Sequence, residues 1–117
     1  MYRLLFIFLV LLLACSEGTK SNADIDVISQ NLNLVIKNNT EQNIYFNVIE
    51  ETCIPLIDWI PSLAHPMIEA GASAQYSFAD IIDCIDGRSV QTGDPVTIYW
   101  WAANFEKNGI KNMRIIL

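Results

Sequence analysis

The chain has 117 residues, with 13 acidic and 7 basic side chains, a single histidine and a formal net charge of −6. A chain of that length builds one core and one domain. The acidic balance argues against nucleic acid as a partner, because phosphates are met by clusters of Lys and Arg. It argues equally against a basic patch for anionic lipid.

The chain opens with Arg3 and then an unbroken apolar run, Leu4 to Leu13 (LLFIFLVLLL), followed by the small Ala14. Positive charge, apolar core and small residue are the parts of a secretory signal. The run is shorter than the roughly 20 apolar residues a spanning helix needs. It closes on Leu12-Leu13-Ala14-Cys15, which resembles the lipobox of bacterial lipoproteins. The resemblance implies that residues 1–14 are a signal peptide, that the Cys15 thiol is acylated, and that the protein meets the membrane through this N-terminal lipid. Each buried CH₂ adds about 0.8 kcal/mol, so two or three acyl chains on one residue hold firmly where one does not. Ser16 stands where an Asp would favour retention at the inner membrane, so the resemblance points to the outer membrane of a bacterial cell envelope. Loss of Arg3 with the leader takes the net charge to −7.

If Cys15 carries lipid, Cys53 and Cys84 remain as an even pair in an oxidising compartment, where a disulfide is the default. Two unpaired buried thiols are the alternative. No CxxC motif is present, which argues against thiol oxidoreductase chemistry.

Residues 15–30 are polar and rich in Ser and Asp, the composition of a tether; Ile25, Val27 and Ile28 within them could begin a first strand. The domain proper is assigned to residues 31–117. Leu32, Leu34 and Ile36 alternate with Asn33, Val35 and Lys37, the period of a strand with one buried face. Asn38-Asn39-Thr40-Glu41 is turn chemistry, and Ile44, Phe46 and Val48 alternate again, so the two strands are expected to pair as a hairpin. Asn38-Asn39-Thr40 also fits a glycosylation sequon, for which the turn is the sufficient explanation. Pro55, Pro61 and Pro66 make residues 51–70 short edge strand and loop, with Trp59 packed. Met67 to Phe78 reads as two short strands about Gly71. Phe78, Ile81, Ile82 and Ile85 then fall at helical spacing, which predicts one short helix over 78–86 ending at Gly87. Val96 to Ala103 is the strongest strand, apolar on both faces as a central covered strand is. Glu106-Lys107-Asn108-Gly109 is a hairpin turn, and Ile110–Leu117 closes with Met113, Ile115 and Leu117 on one face.

Six or seven short strands with turn signals between them predict a mainly β chain, a small antiparallel β-sandwich, with a small open barrel as the alternative. The order IKNNT, IYF, IEAGASAQYSF and a Trp-rich strand resembles the small Ig-like sandwich domains of bacterial lipoproteins. That resemblance implies a fold and no catalytic residue.

Three groups of side chains invite chemistry. His65 with Ser62 nearby suggests a nucleophile and base, but His-Pro in a Pro-rich loop is more often a surface residue. Asp80, Asp83 and Asp86 before Gly87 have the wrong spacing for a calcium loop and suit a solvated face. No metal or other cofactor is expected. Tyr99, Trp100 and Trp101 are the candidate ligand or partner surface. Neighbours in a strand point to opposite faces, so one indole enters the core and the other is either covered or free to stack on a sugar ring or anchor a partner. The reading is a non-enzymatic binding or accessory module on the envelope, its partner a protein or glycan. The alternatives are a purely structural lipoprotein or, less favoured, a hydrolase.

Overall fold

The computed structural model describes residues 19–117, so the stretch read as a signal peptide and Cys15 lie outside the described residues. Eight strands are described: β1 (Thr19–Ser21), β2 (Ile25–Gln30), β3 (Asn33–Asn38), β4 (Ile44–Glu50), β5 (Met67–Ile68), β6 (Ser73–Ser77), β7 (Pro95–Trp101) and β8 (Lys111–Ile116), with one α-helical turn, α1 (Phe105–Asn108), and two 3-10 turns, Glu51–Cys53 and Phe78–Asp80. They form two antiparallel four-stranded sheets, β1-β2-β3-β6 and β5-β4-β7-β8, packed as a β-sandwich.

The alternation seen in the sequence sets the inner faces. Ile25 and Val27 of β2, Leu34 and Ile36 of β3, Phe46 and Val48 of β4, and Val96, Ile98 and Trp100 of β7 all lie in one core. Met113 and Ile115 of β8 and Leu117 just beyond it close the core, as expected. Each such side chain taken fully from water contributes about 1.5–3 kcal/mol.

The register gives the sandwich two ends. At the upper end Ile25 stands opposite Asn38, Tyr45 opposite Met67 and Trp101, and Trp100 opposite Lys111. At the lower end Gln30 stands opposite Asn33, which faces Ser77, while Glu50 stands opposite Val96 and Pro95 opposite Ile116.

Several expectations are corrected. Strand β2 takes up the strand expected from Ile25, Val27 and Ile28, but β1 also lies within the stretch read as a tether, so the sheet begins at Thr19. Leu32 is not an inward strand residue. It sits with Asn31 in the two-residue turn between β2 and β3, both at positive φ (52° and 62°), and is 63% exposed. Two positive φ values are what a tight hairpin turn demands, and a left-handed residue other than Gly costs roughly 1–2 kcal/mol.

The β3–β4 and β5–β6 connections reverse the chain but pass from one sheet to the other, so neither pair is a hairpin. Asn38 explains the first. Wholly buried, its Nδ2 donates to the carbonyls of Gln42 (2.7 Å) and Ile68 (3.0 Å), and its Oδ1 accepts from the backbone N–H (2.9 Å) and hydroxyl (2.7 Å) of Thr40. One side chain thus folds the turn and pins the upper ends of the two sheets together.

The helix expected over 78–86 lasts a single 3-10 turn, Phe78–Asp80, with Ser77 Oγ accepting from the Ala79 N–H. Ile81 is extended, and Ile82 is taken up by β4: its N–H donates to Val48 O (3.2 Å) and its carbonyl accepts from the Glu50 N–H (2.8 Å). Phe78 and Ile81 are buried as the helical spacing required, but Ile82 faces outward, because backbone pairing with a strand outcompetes a short isolated helix. Among the described residues the one α-helical turn lies instead at α1, inside the expected β7–β8 hairpin, ending on Gly109 at φ 77°.

Cys53 and Cys84 form a disulfide, closing a loop of sequence separation 31 and tying the turn after β4 to the 81–85 segment. Replacing both by alanine is expected to lower stability by about 2–4 kcal/mol, with the mechanism partly entropic. Urea denaturation of the double variant, and of the native protein under reductant, measures this; equal midpoints in all three would contradict it.

Candidate functional site

At the upper end the Asn39–Asn43 turn, the chain before β2 and the β7–β8 connection leave a cleft of about 310 Å³ between them. Its lining is mixed, apolar at Ile44, Trp100, Trp101 and Ala102 and polar at Thr40, Glu41, Gln42 and Asn108. One wall is a charged pair. Lys111 Nζ lies 2.6 Å from Asp24 Oδ2, and the Trp100 Nε1–H donates to the same oxygen at 3.2 Å. The backbone holds this carboxylate in place: Asn22 Oδ1 caps the N–H groups of Asp24 (2.8 Å) and Ile25 (3.0 Å), and Asp24 O accepts from the Asn39 N–H (2.8 Å). A shallower hollow continues from the cleft over Asn22, Ala23 and Asn112.

The hydrogen bond from Lys111 is the main reason the Asp24 carboxyl sits below its ordinary range; partial burial opposes it and the Trp100 N–H assists. Asp94, held by the Arg88 guanidinium at 2.6 Å and by the Gln91 N–H at 2.8 Å, is lowered further, to about 2. Both acids are therefore more acidic folded than in the unfolded chain, where an aspartate titrates near 3.9. The stability they contribute is complete above about pH 4 and is lost as pH falls through the folded values. Thermal unfolding between pH 5 and pH 2 should show Asp94→Asn flattening the decline. A variant with the native slope would contradict the assignment.

Trp101 points to the other face of β7, under the Pro-rich loop at 54–66. Its Nε1–H donates to Ser62 O at 3.3 Å, the His65 ring stands edge-on at 4.9 Å, and Trp59 lies 5.6 Å away while also meeting Tyr99 at 5.0 Å. The two indoles point to opposite faces as the strand geometry requires, and both are covered: Trp100 is 3% exposed and Trp101 2%. Neither offers a stacking face, and Tyr99 is half-buried against Trp59.

Ser62 and His65 do meet, with Oγ 3.0 Å from Nδ1. The same Oγ accepts from the Ala64 N–H (3.2 Å), which makes this a local clasp within the loop, and among the described residues no carboxylate hydrogen-bonds the other ring nitrogen. A nucleophile and base need a third group to orient the ring. Asp80, Asp83 and Asp86 do not converge, and no group of three ligating side chains gathers among the described residues.

The sequence reading missed Asp24, Lys111, Gln42 and Asn108. Asp24 and Lys111 lie 87 residues apart, and nothing local marks them as partners. No known family model matches the chain, and comparison with curated proteins and with solved structures returns no significant match.

Proposed function

We propose that the protein is a non-enzymatic binding module of a bacterial envelope, an Ig-like sandwich held by lipid on Cys15, and that its upper-end cleft takes a neutral polyhydroxyl ligand such as a glycan residue. The observation that carries this reading is the cleft's composition: apolar Ile44, Trp100 and Ala102 stand beside acceptors (Asp24, Glu41), a cationic donor (Lys111) and bifunctional amides (Gln42, Asn108). Sugars need both an apolar contact and hydrogen-bonding partners of both kinds. Glu41 and Asp24 disfavour an anionic ligand. Asp24 is already positioned by Lys111 and Trp100, so little order has to be created on binding.

Calorimetric titration with oligosaccharide fragments of envelope glycans tests the proposal. Binding is expected, weakened about tenfold by Gln42→Ala, the order of one lost hydrogen bond. Absence of binding to any fragment would overturn it. A structural lipoprotein without a ligand is the second reading, favoured by the complete covering of both indole faces.

A further inference from the structure

The first strand begins at Thr19, four residues beyond Cys15. At a maximum of about 3.6 Å per residue, that stretch spans no more than about 15 Å. If Cys15 is acylated, as the proposed function holds, the sandwich cannot stand clear of the bilayer. The register then says which end approaches it. β1 runs antiparallel to β2 with Thr19 opposite Ile28 and Ser21 opposite Asp26, so the chain leaves Thr19 toward the lower end, on the side of the Asn31–Leu32 tip.

That end exposes aliphatic side chains more fully than the upper end, where Met67 is 44% and Ile110 41% exposed. Leu32 stands at the apex of a two-residue turn in a left-handed conformation that Gly or Asn would occupy at less cost, and is 63% exposed. Leu56, 73% exposed, is held there by its N–H bond to Cys53 O (2.9 Å), just after the lower end of β4. Ile116 at the lower end of β8 is 46% exposed. Arg88 with Asp94 and Arg114 with Glu51 are ion pairs. Asp80, Asp83 and Asp86 on the neighbouring connection add negative charge, which suits a zwitterionic surface rather than an anionic one.

We propose that the lower end, with Leu32 and Leu56 at its contact points, rests on a zwitterionic lipid bilayer, so that the cleft at the upper end faces away from the membrane. The inference rests on the lipidated reading and adds an orientation to it. An aliphatic side chain placed in the interfacial region gains from burial there, which gives the strained tip a use.

The test uses the full-length protein in vesicles of phosphatidylcholine with brominated acyl chains, with the mass of its N-terminal fragment recorded first. A tryptophan placed at the lower end (Leu32→Trp) should lose emission to the bromine atoms, whereas one on α1 at the upper end (Glu106→Trp) should not. If Leu32→Trp fails to fold, Leu56→Trp reads the same end. Acylated, vesicle-bound protein whose lower-end tryptophan is unquenched, or whose Glu106→Trp is quenched equally, overturns the orientation and leaves the anchor standing. An unmodified Cys15 removes the anchor and the orientation together. Leu32→Gly supplies a separate check: it should raise the thermal midpoint, because Gly accepts the positive φ freely, and expose the tip amides to hydrogen exchange on vesicles.

Discussion

Trp101→Ala is expected to cost about 3–5 kcal/mol, the range for removing a buried aromatic side chain. The indole is 2% exposed and does two jobs. It fills the space between the outer face of β7 and the 54–66 loop, and its Nε1–H ties that loop down through Ser62 O. Trp59 and His65 both pack against it, so its loss removes their support at the same time. Residues 54–65 form no strand, and the loop is held by these contacts, by the disulfide at Cys53 and, at its end, by the Phe46 N–H donating to Pro66 O (3.0 Å). Two readouts follow. Urea denaturation should show the loss of stability, and limited proteolysis should cut the variant first within the loop. Cleavage elsewhere, or a loss below about 1 kcal/mol, would mean that the loop is not fastened through this indole.

Asn38 carries the second large effect. Truncation to alanine leaves the buried Ile68 carbonyl without its side-chain donor and Thr40 without its acceptor. At about 1–3 kcal/mol for a buried polar group left unpaired, the expected loss is about 2–4 kcal/mol. The aspartate variant sharpens the test. Asn38→Asp keeps the oxygen that faces Thr40 but turns the two-carbonyl donor into a second acceptor, placing charge against the oxygens of Gln42 and Ile68. It should therefore be less stable than alanine at neutral pH and should recover as the carboxyl is protonated in acid. If denaturation curves rank aspartate above alanine at pH 7, the bonding described for this side chain is wrong.

The same residue shows where sequence reasoning stops. Alternation of Leu34 and Ile36, and of Phe46 and Val48, reports which face of a strand is buried, and those four are indeed core. It does not report the partner strand. The turn at Asn38–Glu41 was legible as a reversal, but whether a reversal makes a hairpin or crosses to a second sheet depends on contacts such as Asn38 with Ile68, 30 residues on. The central place of β7 was legible because both of its faces are apolar, and so was the split of Trp100 and Trp101 to opposite faces. That a loop covers the outer one was not, since it required knowing that the prolines at 55, 61 and 66 bring Trp59 and His65 back over β7.

The helical spacing of Phe78, Ile81, Ile82 and Ile85 misled because a loop threading between two sheets can bury alternate residues at any spacing. A single backbone pairing of Ile82 with β4 is enough to hold it extended. The cleft was the least legible feature. Its charged wall joins Asp24, near the start of the described residues, to Lys111, near their end, and its lining mixes side chains from separate strands and connections.

The indole N–H resonances of the protein provide the most direct measurement of the central claim. Trp100 Nε1–H points to Asp24 in the cleft, whereas Trp101 Nε1–H points to Ser62 O beneath the loop. Adding an envelope oligosaccharide to labelled protein should shift the Trp100 indole cross-peak in a saturable way and leave that of Trp101 nearly in place. A shift at Trp101 with Trp100 unmoved, or no shift at either up to millimolar ligand, would contradict a binding cleft at this end of the sandwich.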